Sequence, residues 1–507
     1  MSPKQTNEKS VLGGIAPEAV FSFFEQICAI PHGSGHTEKI SAYLTAFAKE
    51  RGIRYKQDEM GNVILFQDAS AGYEDKAPVI LQGHMDMVCV AEDGVMIDFE
   101  KDGLTLEVHD GLVTAKGTSL GGDDGIAVAM ALAILDDPTI PHPPLEVVIT
   151  VDEEVGMLGA AGIDLSEVKG RRLLNIDSED EGYLLLGCAG GATVTTTLTG
   201  ERITDAGKLS GVFELVISSL VGGHSGVEID KGRANGCVLL GRAAEGLSDT
   251  AAKCGAALLC QSLEGGGKDN AIPTAATLRF FLRGKQADTD RVWEQLLEET
   301  KRWQEIFKRE YAATEPSLVL TLTKTEDAKG RELLPFDEAF TKKLISLLRL
   351  VPNGIQSMSR DIPGLVQTSL NLGILKTAEN TVSASYLVRS SLESEKREVI
   401  GRISALIKLL GGQMDVAGEY PAWEYKQESP LRELMKEVFF EQYNREPVLQ
   451  TIHAGVECGI FAQKIEDLEA VSFGPDLTDI HSPKEAMDIA SVQRTWKYLL
   501  EVLRKMQ

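Results

Sequence analysis

The sequence predicts an α/β protein: a mostly parallel-sheet domain with a second, α+β domain inserted into it. Three observations lead there. Apolar runs alternate with helix-like segments from about residue 77, the strands of the middle region alternate polar and apolar residues, and a late apolar run returns to the first pattern. At 507 residues the chain also exceeds what a single core usually organises.

In the first pattern, "APVILQGHMDMV" (77–88), "PLEVVITVDEE" (144–154), "RRLLNIDSED" (171–180) and "EAVSFGPDL" (469–477) each read as a buried strand ending in polar residues. "GIAVAMALAILDD" (125–137), rich in Ala, Leu and Met, reads as a helix between the first two. In such a sheet, ligands gather beyond the carboxyl ends of the strands. The middle holds half-solvated strands at 211–226, 274–284, 316–327 and 379–394, with helices at 291–307 and 395–412. The domain limits that follow are 1–189 with about the first 12 residues loose, an insert at 190–420, and a return to the first domain at 421–507. "GCAGGATV" (187–194) and "GEYPAWEYKQESP" (418–430) mark the crossings.

Composition narrows the function. A formal charge of -25 with no segregated basic patch argues against a nucleic-acid partner. No run reaches the roughly 18 apolar residues of a membrane span, and "MSPKQTNEKSV" lacks the apolar segment of a signal peptide, so a cytoplasmic protein is expected. Seven cysteines at irregular spacing, without CxxC pairs, read as reduced and mostly buried thiols.

The strand ends carry the chemistry. His84 and Asp86 are two apart in "QGHMDMV", a spacing that sends both side chains to one face, where a carboxylate can orient an imidazole whose other nitrogen binds metal. Asp123 and Asp124 sit in "SLGGDDG", just before the helix, and Asp124 has a helix cap as its alternative role. Glu153 and Glu154 end the next strand, Asp177 the one after, and His481 follows in "GPDLTDIHSP". Gathered at one sheet edge, these nitrogen and oxygen donors suit Zn²⁺, Mn²⁺ or Co²⁺. "GTSLGGDDG" lacks the spacing of a phosphate-binding loop, and its aspartates repel phosphate.

"GHMDMV", "GGDDG", "DEEVG", "NIDSED", "GGHSG" and "DIHSPKE" occur in the order found in the M20 metallopeptidases, which the chain resembles over nearly its whole length. "LGCAGG", "RANG", "DNAIP", "TSLNLG" and "HAGVECG" look like the aminoacyl-histidine dipeptidase branch of that family. The resemblance implies a catalytic domain with an inserted lid and dimerisation domain, and two divalent ions, zinc first and manganese or cobalt as alternatives. Asp123 and a water or hydroxide would bridge them, with His84 and Asp177 on one ion and Glu154 and His481 on the other. Asp86 would hold the His84 ring, Glu153 would be the general base, and His224 of "VGGHSG" would stabilise the oxyanion in the other subunit of a homodimer. The family pattern often has lysine after the bridging aspartate; this chain has Asp124.

A dipeptide brings a free carboxylate, for which Asn270, Arg360 and His453 are the candidate partners, with Glu457 considered for the amino group. The expected activity is hydrolysis of dipeptides, Xaa-His included. The alternatives are a deacylase or carboxypeptidase of the same family acting on N-acyl amino acids, and a binding protein of this fold that has lost catalysis.

Overall fold

The computed structural model describes residues 10–204, 209–284, 286–325 and 333–506. The chain divides into two compact units, Met1–Cys188 with Tyr425–Thr451 and Val456–Gln507, and Ala189–Glu424 with Ile452–Gly455. Residues 452–455, expected with the returning segment, thus cluster with the inserted unit.

The first unit is built on an eight-stranded sheet in the order Arg54–Gln57, Val63–Gln67, Leu145–Thr150, Val79–His84, Arg172–Asn175, Glu469–Ser472, Tyr183–Cys188, Val448–Ile452. Its four central strands, from Leu145–Thr150 to Glu469–Ser472, are parallel. Val79–His84 and Leu145–Thr150 are buried along their whole length, which is why they read as mostly apolar runs, with Gln82 and Glu146 as buried polar exceptions. The helix expected at 125–137 spans Gly122–Asp136 and is buried on every side, as its lack of a polar face requires.

A small antiparallel sheet, Leu477–Thr478, Ala486–Asp488, Leu112–Ala115 and Leu106–His109, supports the loop 479–485. The hairpin that holds this loop went unread in the sequence because its strands are only two and three residues long.

The second unit holds an antiparallel sheet of nine strands, a two-stranded ladder of Gly223–His224 with Ala271–Ile272, and the helices Gly236–Lys253, Gln286–Glu310, Glu338–Leu350 and Glu393–Leu410. Each unit has its own apolar core. No described helix is long and apolar enough to cross a membrane. Among the cysteines, Cys89 and Cys254 are half-buried and the other five are buried, all as free thiols.

Candidate metal centre

The parallel strands deliver their polar ends to one place. His84 is the last residue of Val79–His84, Glu153 and Glu154 follow Leu145–Thr150, Asp177 follows Arg172–Asn175, Asp123 precedes the regular part of the buried helix, and His481 lies in the loop 479–485. Asp123 stands at the middle. Its Oδ1 is 3.1 Å from His84 Nε2 and its Oδ2 is 3.2 Å from His481 Nε2. Asp177 Oδ1 is 3.7 Å from His84 Nε2, and Glu154 Oε1 is 2.9 Å from His481 Nε2. The donors therefore form two groups sharing one carboxylate, His84–Asp123–Asp177 and Asp123–Glu154–His481, with the donor atoms of each within 4.8 Å of one another. Glu153 forms a third such group with His84 and Glu154.

The electrostatics favour a cation. Burial disfavours an imidazolium at His84, but the carboxylates of Asp123, Asp177 and Asp86 outweigh it and hold the ring well above the usual histidine range. Contacts with Asp123 and Glu154 push His481 up to about 10. Burial pushes Asp177 to about 6, and burial with the nearby charges of Asp177, Glu457 and Glu154 pushes Glu153 to about 9. Glu154 Oε1 is buried and, though close to His481, has no hydrogen-bond partner. An orphaned carboxylate oxygen beside an imidazole nitrogen, in a set of only nitrogen and oxygen donors, fits a divalent ion.

The supporting shell differs in part from expectation. His84 Nδ1 lies 3.0 Å from the backbone oxygen of Asp86, whereas the Asp86 carboxylate is 3.6 Å away. That carboxylate instead accepts the backbone N–H groups of Glu153 (3.0 Å) and Glu154 (3.4 Å) and the Ser34 hydroxyl (2.8 Å). It thus fixes the turn that presents both glutamates, and charge-assisted bonds to backbone N–H groups make such a turn stiff.

Asp152, the third acid of that turn, has φ +54° and accepts the Gly35 N–H at 2.6 Å. Asp124 caps nothing: it is buried, and its Oδ2 accepts the backbone N–H of His84 at 3.1 Å. Glu457 is fully buried, accepting from Gln82 Nε2 (2.5 Å) and Thr150 Oγ1 (2.7 Å), which leaves it no surface for a substrate amine. A cleft of about 610 Å³ opens beside Glu154 between Ser34, Met87, Cys89 and Phe99.

In the second unit, His224 Nδ1 accepts the backbone N–H groups of Gly226 and Val227, each at 3.2 Å. The ring is therefore the tautomer whose Nε2 carries the proton. Burial, then the nearby Arg389 guanidinium, lower its proton affinity below the usual histidine range. Asn270 is exposed and borders His224, its backbone oxygen accepting the Ser225 N–H at 2.8 Å. His453 is buried, with Nε2 2.7 Å from Ser369 Oγ and Nδ1 without a partner; burial and Arg389 lower it to about 3. Arg360 is exposed and outside this group.

Arg389, which the sequence reading missed, is 6% exposed; it donates from Nη1 to the Tyr420 hydroxyl (2.9 Å), while its Nε lacks a partner. Among the described residues no carboxylate pairs with it. Added to Gly226, a Cβ would meet His453 O, His224 Cε1 and Arg389 Nε at 2.6, 2.9 and 3.2 Å, so the His453 backbone and the side chains of His224 and Arg389 converge there. The signal was a lone cation in the apolar stretch "SYLVRSS".

A buried parallel sheet with histidines and carboxylates grouped around one shared aspartate at its strand ends defines a hydrolytic metal-enzyme architecture. The model of peptidase family M20/M25/M40 matches residues 80–505, and the chain belongs to that family of peptidases. It is 36% identical to the cytosol non-specific dipeptidase of Escherichia coli (strain K12) over 496 residues, 98% of this chain and 99% of that protein. Its fold matches the crystal structure of aminoacylhistidine dipeptidase from Vibrio alginolyticus with a TM-score of 0.89 and 34% identity, covering 98% of this chain and 99% of the other. The aminopeptidase PepT of Bacillus cereus, at 15% identity and a TM-score of 0.54, shares the fold.

Proposed function

We propose that the chain is a two-metal dipeptidase that hydrolyses dipeptides, Xaa-His among them, in the cytoplasm and as a homodimer through its second unit. The observation that carries this reading is Asp123, whose two carboxylate oxygens face two different imidazoles, each with a further carboxylate. His84, Asp123 and Asp177 would hold one ion and Asp123, Glu154 and His481 the other, zinc, manganese and cobalt all suiting these donors. When bound, such ions supply the Lewis acidity that polarises a scissile carbonyl and acidifies water.

The chain's own residues do the rest. Glu153 takes the proton of the attacking water and returns it to the leaving amine nitrogen, a role that its place beside His84 and Glu154 suits. Asp86 holds the turn that carries Glu153 and Glu154. His224, neutral and protonated at Nε2, donates to the oxygen that becomes negative as the carbonyl is attacked. Arg389, a buried guanidinium without a counter-ion among the described residues, binds the substrate's carboxylate, with His453 and Asn270 beside it; this displaces Arg360 from that role.

The names of the Escherichia coli and Vibrio relatives support the dipeptide substrate. The test compares turnover of Gly-His and β-Ala-His with that of N-acetyl-His by protein of measured metal content. Efficient turnover of the acetylated substrate alone overturns the reading in favour of a deacylase, and metal binding without turnover of any favours a binding protein.

A further inference from the structure

Glu485 lies four residues beyond His481 in the sequence and is 3% exposed. Its carboxylate accepts four backbone N–H groups. Oε2 takes those of Leu120 (2.8 Å) and Gly121 (3.2 Å), and Oε1 takes those of Gly122 (2.8 Å) and, more weakly, Asp123 (3.5 Å). These donors form the turn that leads into the helix: Leu120 and Gly121 precede Gly122–Asp136, and Asp123 and Asp124 are not yet helical, so the N–H groups find no acceptor within the regular helix. No side chain of the segment caps them: the preceding residue is Gly121 at φ +68°, and Asp124 is engaged with His84. The fit is close, because a Cβ on Gly122 would lie 3.3 Å from Glu485 Oε1 and 3.2 Å from Leu477 Cδ2.

Other helices of this chain are capped locally, by Asn235, Asp337, Ser429 and Asp488, each bonding an N–H two or three residues on. Here the cap comes from 365 residues away in sequence. It comes from the same hairpin that presents His481, and the N–H groups it holds lead directly into Asp123.

We propose that Glu485 is a positioning residue for the metal centre, a clamp that ties the loop of Asp123 to the loop of His481 and so sets the separation of two ligands from opposite ends of the chain. The inference rests on the metal-binding role proposed for those two residues. A carboxylate is suited to the task, since each oxygen can accept two N–H groups and its charge complements the helix N-terminus.

The test uses the full-length protein stripped of metal. Glu485→Gln keeps the size but turns an amide NH₂ against backbone donors; Glu485→Asp keeps the charge and shortens the reach; Ser429→Ala removes a cap elsewhere in the same unit. Affinity for Zn²⁺ or Mn²⁺ is read by calorimetry, the melting temperature without metal by thermal unfolding, and kcat and KM on a dipeptide. Both Glu485 variants should bind metal about 10- to 100-fold more weakly, as outer-shell substitutions do, with kcat lowered and KM unchanged. Ser429→Ala should lower the melting temperature and leave metal affinity alone.

Glu485 variants that melt earlier yet bind metal like the wild type would reduce the residue to a helix cap and overturn the proposal, as would failure of both to fold. A wild type that binds no divalent ion overturns this inference and the functional reading together. A wild type that binds, with Glu485→Gln and Glu485→Asp binding equally well, overturns this one alone.

Discussion

His481 Nε2 and Glu154 Oε1 stand 2.9 Å apart, yet the buried carboxylate oxygen has no hydrogen-bond partner. The same imidazole nitrogen lies 3.2 Å from Asp123 Oδ2, so three donors crowd one point, as ligands of one ion would. Metal binding to the folded chain alone should then raise its stability by about 2.7 kcal/mol at a hundredfold excess over Kd. Thermal unfolding of chelator-treated protein with and without added zinc or manganese measures the shift. Asp123→Ala, which removes the carboxylate common to both donor groups, should abolish it; a wild type whose melting temperature ignores the metal would remove the metal reading.

Glu153 and Glu154 are neighbours with separable work. Asp86 accepts the backbone N–H groups of both and so holds them in one turn. Glu153→Gln should keep the metal content of the wild type and lose about 10²- to 10⁴-fold in kcat, the usual contribution of a general base. Metal analysis beside steady-state kinetics decides it. A Glu153→Gln enzyme with near-normal turnover would transfer the proton-accepting role to another group.

Much of this site was legible because parallel strands write it into sequence as apolar runs with polar ends; His84, Glu154 and Asp177 announce themselves that way. What the sequence hid are partnerships between backbone and distant side chain. The spacing of His84 and Asp86 suggested a carboxylate orienting a ring, but the chain turns after His84, so the Asp86 backbone oxygen meets the ring and its carboxylate reaches the Glu153 turn. Asp124 looked like a cap and serves the His84 N–H instead, because Glu485 already occupies the helix end. Arg360 stood out as a cation near glycine and proline, whereas Arg389 was masked by the apolar strand around it.

Arg389 and Arg360 make opposite predictions. Losing a buried, hydrogen-bonded charge pair costs about 2 to 5 kcal/mol, so Arg389→Met should lower kcat/KM for Gly-His at least about 30-fold. The same variant should hydrolyse Gly-His amide as the wild type does, since that substrate has no carboxylate to hold. Arg360→Ala, at an exposed position, should behave as the wild type with both. Kinetics on the two substrates check the set, and an equal loss on dipeptide and amide would make Arg389 a structural residue.

His453 makes stability depend on pH in a defined direction. Burial first, then the Arg389 charge, lower it to about 3, while an unfolded histidine titrates near ~6.5. Between those values the unfolded chain takes up a proton that the folded chain refuses. The stabilisation is therefore complete above ~6.5 and is lost as the pH falls toward 3. Going from about pH 7 to about pH 5 should cost the wild type about 2 kcal/mol more than His453→Gln, which has no titrating ring. Denaturant unfolding of both proteins at the two pH values supplies the comparison, and parallel losses would show that the buried ring is not what the acid attacks.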